Sequence, residues 1–227
     1  MASNPLALII GAGPGVSASL ARLLHKNGYD IALAARNTDK LMSLAEETHA
    51  AAYPCDVTNK DSIASLFDGI GTTPDVMVYN PSYRVRGPLV DLDPDEVQRT
   101  IQTTAFGAFL AAQQAARRML ERGSGTIIFT GASAGVKGYP QSAPFAMGKF
   151  ALRGLAQSMA RELHPQNIHV GHVVIDGGIR SERRPDEPGA DKLLDPDAIA
   201  DSYLHLIHQP RSSWSWEIEV RPWVEKF

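Results

Sequence analysis

Several short stretches of this 227-residue chain carry side chains at spacings that could do chemistry. The first is Gly11-Ala-Gly13-Pro-Gly15, which follows directly on the apolar run Leu6–Ile10 and leads into Val16–Asn27, where Val16, Leu20, Leu23 and Leu24 fall at helical spacing. Glycines between a strand and a helix permit positive φ and let backbone N–H groups approach a pyrophosphate, whose charge the helix N-terminus favours. No Gly-Lys-Ser/Thr follows, so a Walker-type phosphate site is excluded. The second apolar run, Ile31–Ala35, ends at Arg36. A carboxylate at that point would suit the free ribose hydroxyl of NAD, whereas a guanidinium suits a 2′-phosphate. NADP(H) is therefore expected in preference to NAD(H).

Two other chemistries have partial signatures. Gly131-Ala-Ser133-Ala-Gly135 has the Gly-x-Ser-x-Gly pattern of a nucleophile elbow, and Asp176 with His205 or His208 follows in the chain order hydrolases use. An elbow turns at once into its helix, however, and here Val136–Gln141 intervenes. Hydrolysis would also leave the glycine turn without a role. His205-x-x-His208 has no cysteine cluster and no His-Glu-x-x-His beside it, so no metal site is expected. Histidines at the end of a helix are explained by its dipole. Cys55 is the one cysteine; it reads as a small buried apolar residue and, with no export signal apparent, suits a reducing, cytoplasmic setting.

The elements that must position these residues alternate along the chain. Further strands are read near Ala51–Tyr53, Val76–Tyr79, Thr126–Thr130, His169–Ile175 and Glu217–Val220. Helices are read after Asn37-Thr38-Asp39 and over Asp61–Gly69, Asp93–Arg122, Pro144–Leu163 and Pro196–His208, with Asp93-Pro94 and Asp195-Pro196 as cap and first helical residue. Continuous apolar strands alternating with helices predict an α/β fold: a Rossmann-type, doubly wound, seven-stranded, mainly parallel sheet with helices on both faces. The length suits a single domain spanning 1–227. Lys+Arg of 22 against Asp+Glu of 25 gives −3, with no basic stripe, which argues against nucleic acid as a partner. No apolar run approaches 18 residues, which argues against a membrane-spanning helix.

Taken together these residues resemble the short-chain dehydrogenase/reductases. Gly11-x-x-x-Gly15-x-Ser17 is similar to their Gly-x-x-x-Gly-x-Gly, with serine as the last member. Cys55-Asp56-Val57-Thr58 resembles their adenine-contacting Asp-Val segment, and Asn80, in Tyr79-Asn-Pro-Ser82, stands where they have Asn-Asn-Ala-Gly. Asp176-Gly177-Gly-Ile179-Arg-Ser181 resembles the Pro-Gly-x-x-x-Thr that contacts the nicotinamide side, and Phe145-x-x-x-Lys149 occupies the place of the active-site Tyr-x-x-x-Lys.

The resemblance implies a carbonyl/alcohol oxidoreductase with an incomplete catalytic set. Lys149 is retained, which fits ribose binding, but Phe145 has no proton to transfer. Ungapped, Ala132 falls at the family's serine position with Ser133 one residue later, and Thr104 falls at the asparagine. Tyr139 and Tyr83 are candidate substitutes for the missing acid, as are Lys149 and a bound water, and a substrate that needs no external acid is a further alternative. The segment 179–194 takes the place of the family's substrate lid; short, charged and proline-interrupted, it implies a small or polar substrate. A homodimer or homotetramer is implied as well, with small residues on Lys149–Leu163 and three tryptophans in the last fourteen residues as candidate contacts. The alternative is a catalytically inactive NADP(H)-binding sensor or assembly subunit that kept the cofactor site and lost the acid.

Overall fold

The computed structural model describes residues 4–187 and 189–226. Strands β1 (Leu6–Ile10), β2 (Asp30–Ala35), β3 (Ala51–Pro54), β4 (Val76–Tyr79), β5 (Gly125–Thr130), β6 (Ile168–Ile175) and β7 (Glu217–Val220) form one sheet in the order β3-β2-β1-β4-β5-β6-β7. Every neighbouring pair is parallel. The connecting helices are α1 (Val16–Lys26), α2 (Met42–Thr48), α3 (Lys60–Ile70), α4 (Pro94–Ile101), α5 (Gly107–Arg122), α6 (Ala143–Leu163) and α7 (Pro196–His208).

The central strands β1 and β4 are apolar at every position because both of their faces are covered. Leu8, Ile10, Met77, Tyr79, Ile127 and Phe129 point to one side, where they meet Phe67 of α3, Ala111, Ala115 and Met119 of α5, and Leu152 and Ala156 of α6. The alternate residues Ile9, Leu33, Val78, Ile128 and Val173 point to the other and meet Leu20 and Leu24 of α1, Leu44 of α2, and Tyr203 and Leu206 of α7. The side chains of Asp93 and Asp195 accept from the N–H groups of Asp95 and Asp197, and a proline stands at the first position of each helix. Gly28, just past α1, takes φ +83°.

One helix differs from the periodic reading. The stretch expected as a single helix over 93–122 is α4 and α5 joined through a π turn at Gln102–Phe106. Gly107 is pressed so closely on the sheet that a Cβ there would meet the Val57 carbonyl at 2.5 Å, and the Tyr79 hydroxyl donates to the Thr103 carbonyl at 2.5 Å. A side chain entering the helical ladder from outside is a recognised origin of such a break. Among the described residues no helix is long and apolar enough to cross a membrane.

The three tryptophans do not act alike. Trp214 stacks on His169 with centroids 4.7 Å apart, Trp216 lies under the Arg153 guanidinium, and Trp223 is 78% exposed.

Candidate functional site

β1 pairs with β2 on one side and β4 on the other, so the strand order reverses between β1 and β4 and a crevice opens at their carboxyl ends. The glycine turn lies in that crevice. Gly11 takes φ +78°, and its N–H and that of Ala12 both bond the Ala34 carbonyl. A Cβ on Gly11 would stand 2.6 Å from the Pro81 nitrogen. Gly15, at φ +91°, caps α1 without a side-chain hydrogen bond, and the first turn of α1 carries no acidic residue. Its N–H groups are thus left for an anion. Nothing lies within 4 Å of where a Cβ would stand on Gly13 or Gly15, so the turn faces open space. That is a cradle that a side chain would fill, and it fits a dinucleotide pyrophosphate.

Ser17 lines neither of the cavities described below. It is 3% exposed; its hydroxyl donates to the Gly11 carbonyl at 3.3 Å and accepts from Asn80 Nδ2 at 2.7 Å. This hydroxyl bolts the glycine turn to the end of β4.

A cavity of roughly 690 Å³ extends from Gly11 and Gly13 over the ends of β2 and β3, and is lined by Arg36, Asp56, Val57 and Asn80. Asp56 accepts from the Thr58 N–H at 3.0 Å and its hydroxyl at 2.7 Å, which holds the carboxyl below its usual range. Arg36 and Lys40 also face this cavity, and neither has a carboxylate partner among the described residues. Cys55 is buried, and burial pushes its thiol up to about 11, so it is not a nucleophile at neutral pH. Tyr83 faces this cavity too, with its hydroxyl bonded to Glu96 at 2.5 Å and Arg99 over its ring. The bond to Glu96 raises its pKa, and the side chain is committed away from the second cavity.

That second cavity, roughly 660 Å³, shares Pro14, Asn80 and Ser82 with the first and continues across the ends of β5 and β6. Gly15, Ser133, Tyr139, Phe145, Lys149, Gly177, Ile179 and Ser181 all line it. Lys149 is 3% exposed; its ammonium donates to the Thr130 carbonyl at 2.6 Å, and burial lowers its pKa to about 8. Phe145, one turn earlier on α6, lies between two cations: Lys149 Nζ is 5.8 Å from its centroid, and Arg84 Cζ is 4.9 Å away. Ala132 and Ser133 both line the wall, in and beside a short 3₁₀ turn at Ser133–Gly135. Tyr139 is 41% exposed at the rim. Thr104, in the π turn, is fully buried against Gly148, and its hydroxyl has no hydrogen-bond partner.

Among the described residues the parts of the hydrolase-like pattern are not brought together. No histidine lines the cavity that holds Ser133; His205 and His208 line a separate groove with Pro210. Asp176 is occupied by Lys137 at 3.3 Å and Arg221 at 3.6 Å. No cluster of three metal-ligating side chains exists among the described residues. A histidine packed behind Gly131, which lines the second cavity, is structural. His172 is fully buried, its pKa is lowered by burial to about 4, and it is therefore neutral. Its Nδ1 meets Glu217 at 2.9 Å, and Glu217 also takes Arg153 through two 2.7 Å bonds, tying β6, β7 and α6 together.

The sequence missed Lys40, Arg84, Arg86 and Arg184, all of which line a cavity. None of these four stands in a motif whose spacing points to chemistry.

Residues 5–187 match the sequence profile of the short chain dehydrogenases. An uncharacterised oxidoreductase of Staphylococcus aureus (strain N315) is 29% identical over 97% of this chain and 98% of its own. The crystal structure of a short-chain dehydrogenase from Rhodopseudomonas palustris superposes with a TM-score of 0.84 at 32% identity, covering 97% of this chain and 99% of that one. A metagenomic short-chain oxidoreductase in complex with NADP superposes with a TM-score of 0.85 at 29% identity, covering 97% and 98%.

Proposed function

Since the chain belongs to the short-chain dehydrogenase family and is an oxidoreductase, we propose that it works with NADP(H) on the carbonyl or alcohol carbon of a small, polar substrate. The observation that carries this is the continuous crevice, which runs from Arg36 through the glycine turn and Asn80 to Lys149. When bound, the dinucleotide would supply or accept a hydride. Gly11, Gly13 and Gly15 cradle its pyrophosphate, Arg36 with Lys40 takes the 2′-phosphate, and Asp56-Val57 borders the adenine. Lys149 and Asn80 hold the ribose next to the nicotinamide, and Gly177, Ile179 and Ser181 close that side. Ser17 acts through Asn80 as a positioning residue.

Within the second cavity Ser133 orients the substrate oxygen and Phe145 keeps the wall apolar. The proton comes from the Lys149 ammonium, directly or through water, because a pKa of about 8 makes it a competent acid near neutrality. Tyr139 is the rim residue whose hydroxyl is the other available donor. One domain carries the whole site, with residues 179–194 as its lid. A cytoplasmic setting is supported by the one buried, unreactive cysteine. Assembly into a homodimer or homotetramer is supported by Phe106, Phe109, Met147 and Phe150, all 40% exposed or more along α5, α6 and the π turn between α4 and α5.

The test is NADPH binding followed by oxidation against a panel of small carbonyl compounds. Turnover that survives Tyr139→Phe supports Lys149 as the donor. Tight NADPH binding with no oxidation across the panel would reduce the protein to a cofactor-binding sensor or assembly subunit.

Cofactor choice has its own expected result. Arg36→Asp removes one charge-assisted contact and adds repulsion, so NADPH affinity should fall by roughly 10–100-fold while NADH is spared. Equal losses for both cofactors in parallel fluorescence titrations would remove Arg36 from the 2′-phosphate.

A further inference from the structure

Among the described residues, three arginines in the second cavity have no carboxylate partner. Arg84 and Arg86 stand on the segment after β4, and Arg184 comes from the loop after β6. Among the described residues no Asp or Glu lies within ion-pair distance of any of them. Their neighbours differ: Arg180 is paired with Asp195, while Lys137 and Arg221 share Asp176. Among the described residues the only carboxylates that line this cavity are Asp176, already committed, and Glu225.

The three are close enough to feel one another. Burial, and after it the charges of Arg86 and Arg184, lower the pKa of Arg84. Two features hold the cluster in place. Arg84 rests on the face of Phe145, 4.9 Å from its centroid, in the geometry of a cation–π contact. Arg184 approaches the backbone so closely that a Cβ on Gly178 would stand 2.6 Å from its Nη1. Like charges gathered without counter-ions raise the energy of the free protein, and an anion entering the cavity relieves it. The planar fork of a guanidinium suits a carboxylate or phosphate.

On the proposed reading the anions of the dinucleotide are taken by Arg36 and by the glycine turn, whose Gly15 end borders this cavity. We propose that Arg84, Arg86 and Arg184 form a recognition site for an anionic group carried by the substrate, which is thus a small carbonyl or hydroxy compound bearing a carboxylate or a phosphate. This assignment rests on the oxidoreductase reading for its substrate chemistry, but its binding test does not depend on turnover.

The NADPH-loaded full chain would be titrated by calorimetry with succinate, glycerol 3-phosphate and neutral succinamide. Saturable binding of one or both anions, at least ~tenfold tighter than succinamide and lost in Arg84→Gln/Arg184→Gln, is the expected result. Whichever anion binds more tightly identifies the group. NADPH affinity should stay within about twofold, since ~0.4 kcal/mol is the size of a surface effect. Equal binding of the neutral probe, or unchanged anion binding in the double variant, would overturn the proposal. So would a parallel loss of NADPH affinity, which would give the arginines to the cofactor. Anion binding without NADPH oxidation by the matching oxo acids keeps this site and removes the catalytic reading; oxidation by neutral carbonyls without anion binding does the reverse.

Discussion

Lys149→Met is expected to lower kcat/KM by roughly 10²–10⁴-fold while making the ligand-free chain more stable at pH 7. The two effects have one cause. The ammonium is 3% exposed, its hydrogen bond is to the Thr130 carbonyl, and burial draws its pKa down to about 8. Against an unfolded value near 10.4, at about 1.36 kcal/mol per unit, keeping it charged costs the fold about 3 kcal/mol. Methionine removes that cost, and the orphaned carbonyl returns about 1 kcal/mol of it. A net gain of about 1–2 kcal/mol corresponds to a Tm rise of roughly 2–8 °C for a chain of this size.

The pH dependence follows from the sign of the shift. Because the folded pKa lies below the unfolded one, the unfolded chain holds more protons between about pH 8 and 10.4. Lys149 therefore makes parent stability rise with pH through that window and leaves it flat below, and the methionine variant lacks the rise. Carbonyl reduction moves the opposite way, declining above about pH 8 as the ammonium loses its proton. Urea unfolding across pH 7–10, beside a kcat/KM profile, measures both. A variant less stable than its parent at pH 7, or a rate flat to pH 10, would refute the role given to this lysine.

Gly11→Ala is the second large effect, and Gly13→Ala is its control. Gly11 has φ +78°, and a new Cβ would lie 2.6 Å from the Pro81 backbone nitrogen, which cannot swing aside as a side-chain tip can. Strain of about 1–2 kcal/mol and the clash together should cost about 3 kcal/mol or more. They should also weaken NADPH by about 100-fold as the turn shifts, the equivalent of ~2.7 kcal/mol. At Gly13 nothing lies within 4 Å, so stability should change by no more than about 0.5 kcal/mol. Any loss of NADPH affinity there comes from a methyl group standing in the cradle itself. Denaturant unfolding and NADPH fluorescence titration on the pair separate the two. Equal stability of the two variants would contradict the geometry of the turn.

Much of this architecture is legible in the order of the amino acids. Runs such as Leu6–Ile10 and Val76–Tyr79 are apolar at every position because they are covered twice, and that pattern alone orders the strands and helices. The glycine turn, Arg36 and Phe145-x-x-x-Lys149 stand on single elements, where local spacing speaks. What stays hidden depends on distant segments meeting. Arg84 and Arg184 are a hundred residues apart and converge because the loops after β4 and β6 open on the same end of the sheet. Which cavity a loop residue faces is likewise invisible to periodicity, so Tyr83 reads as a proton donor until its hydroxyl is seen bonded to Glu96. Ser17 reads as a glycine substitute until Asn80 is found beside it. The π turn comes from packing of Tyr79 and Val57, which the helical pattern of 93–122 does not contain.

The loop after β6 is pinned at its base. Ile179 and Leu194 form a parallel bridge, with the Arg180 N–H on the Leu194 carbonyl and the Leu194 N–H on the Gly178 carbonyl. Asp195, the very next residue, caps α7. The ends of the loop are thereby fixed independently of its contents, and closing a longer loop costs only ~0.6 kcal/mol per doubling. Residues 182–193 are in effect an exchangeable cassette: segments of other lengths could be spliced beyond the same two anchors without disturbing the sheet, α7 or Ser181. New ligand preferences could then evolve, or be engineered, by replacing one tethered surface loop while the nucleotide-binding crevice is inherited unchanged.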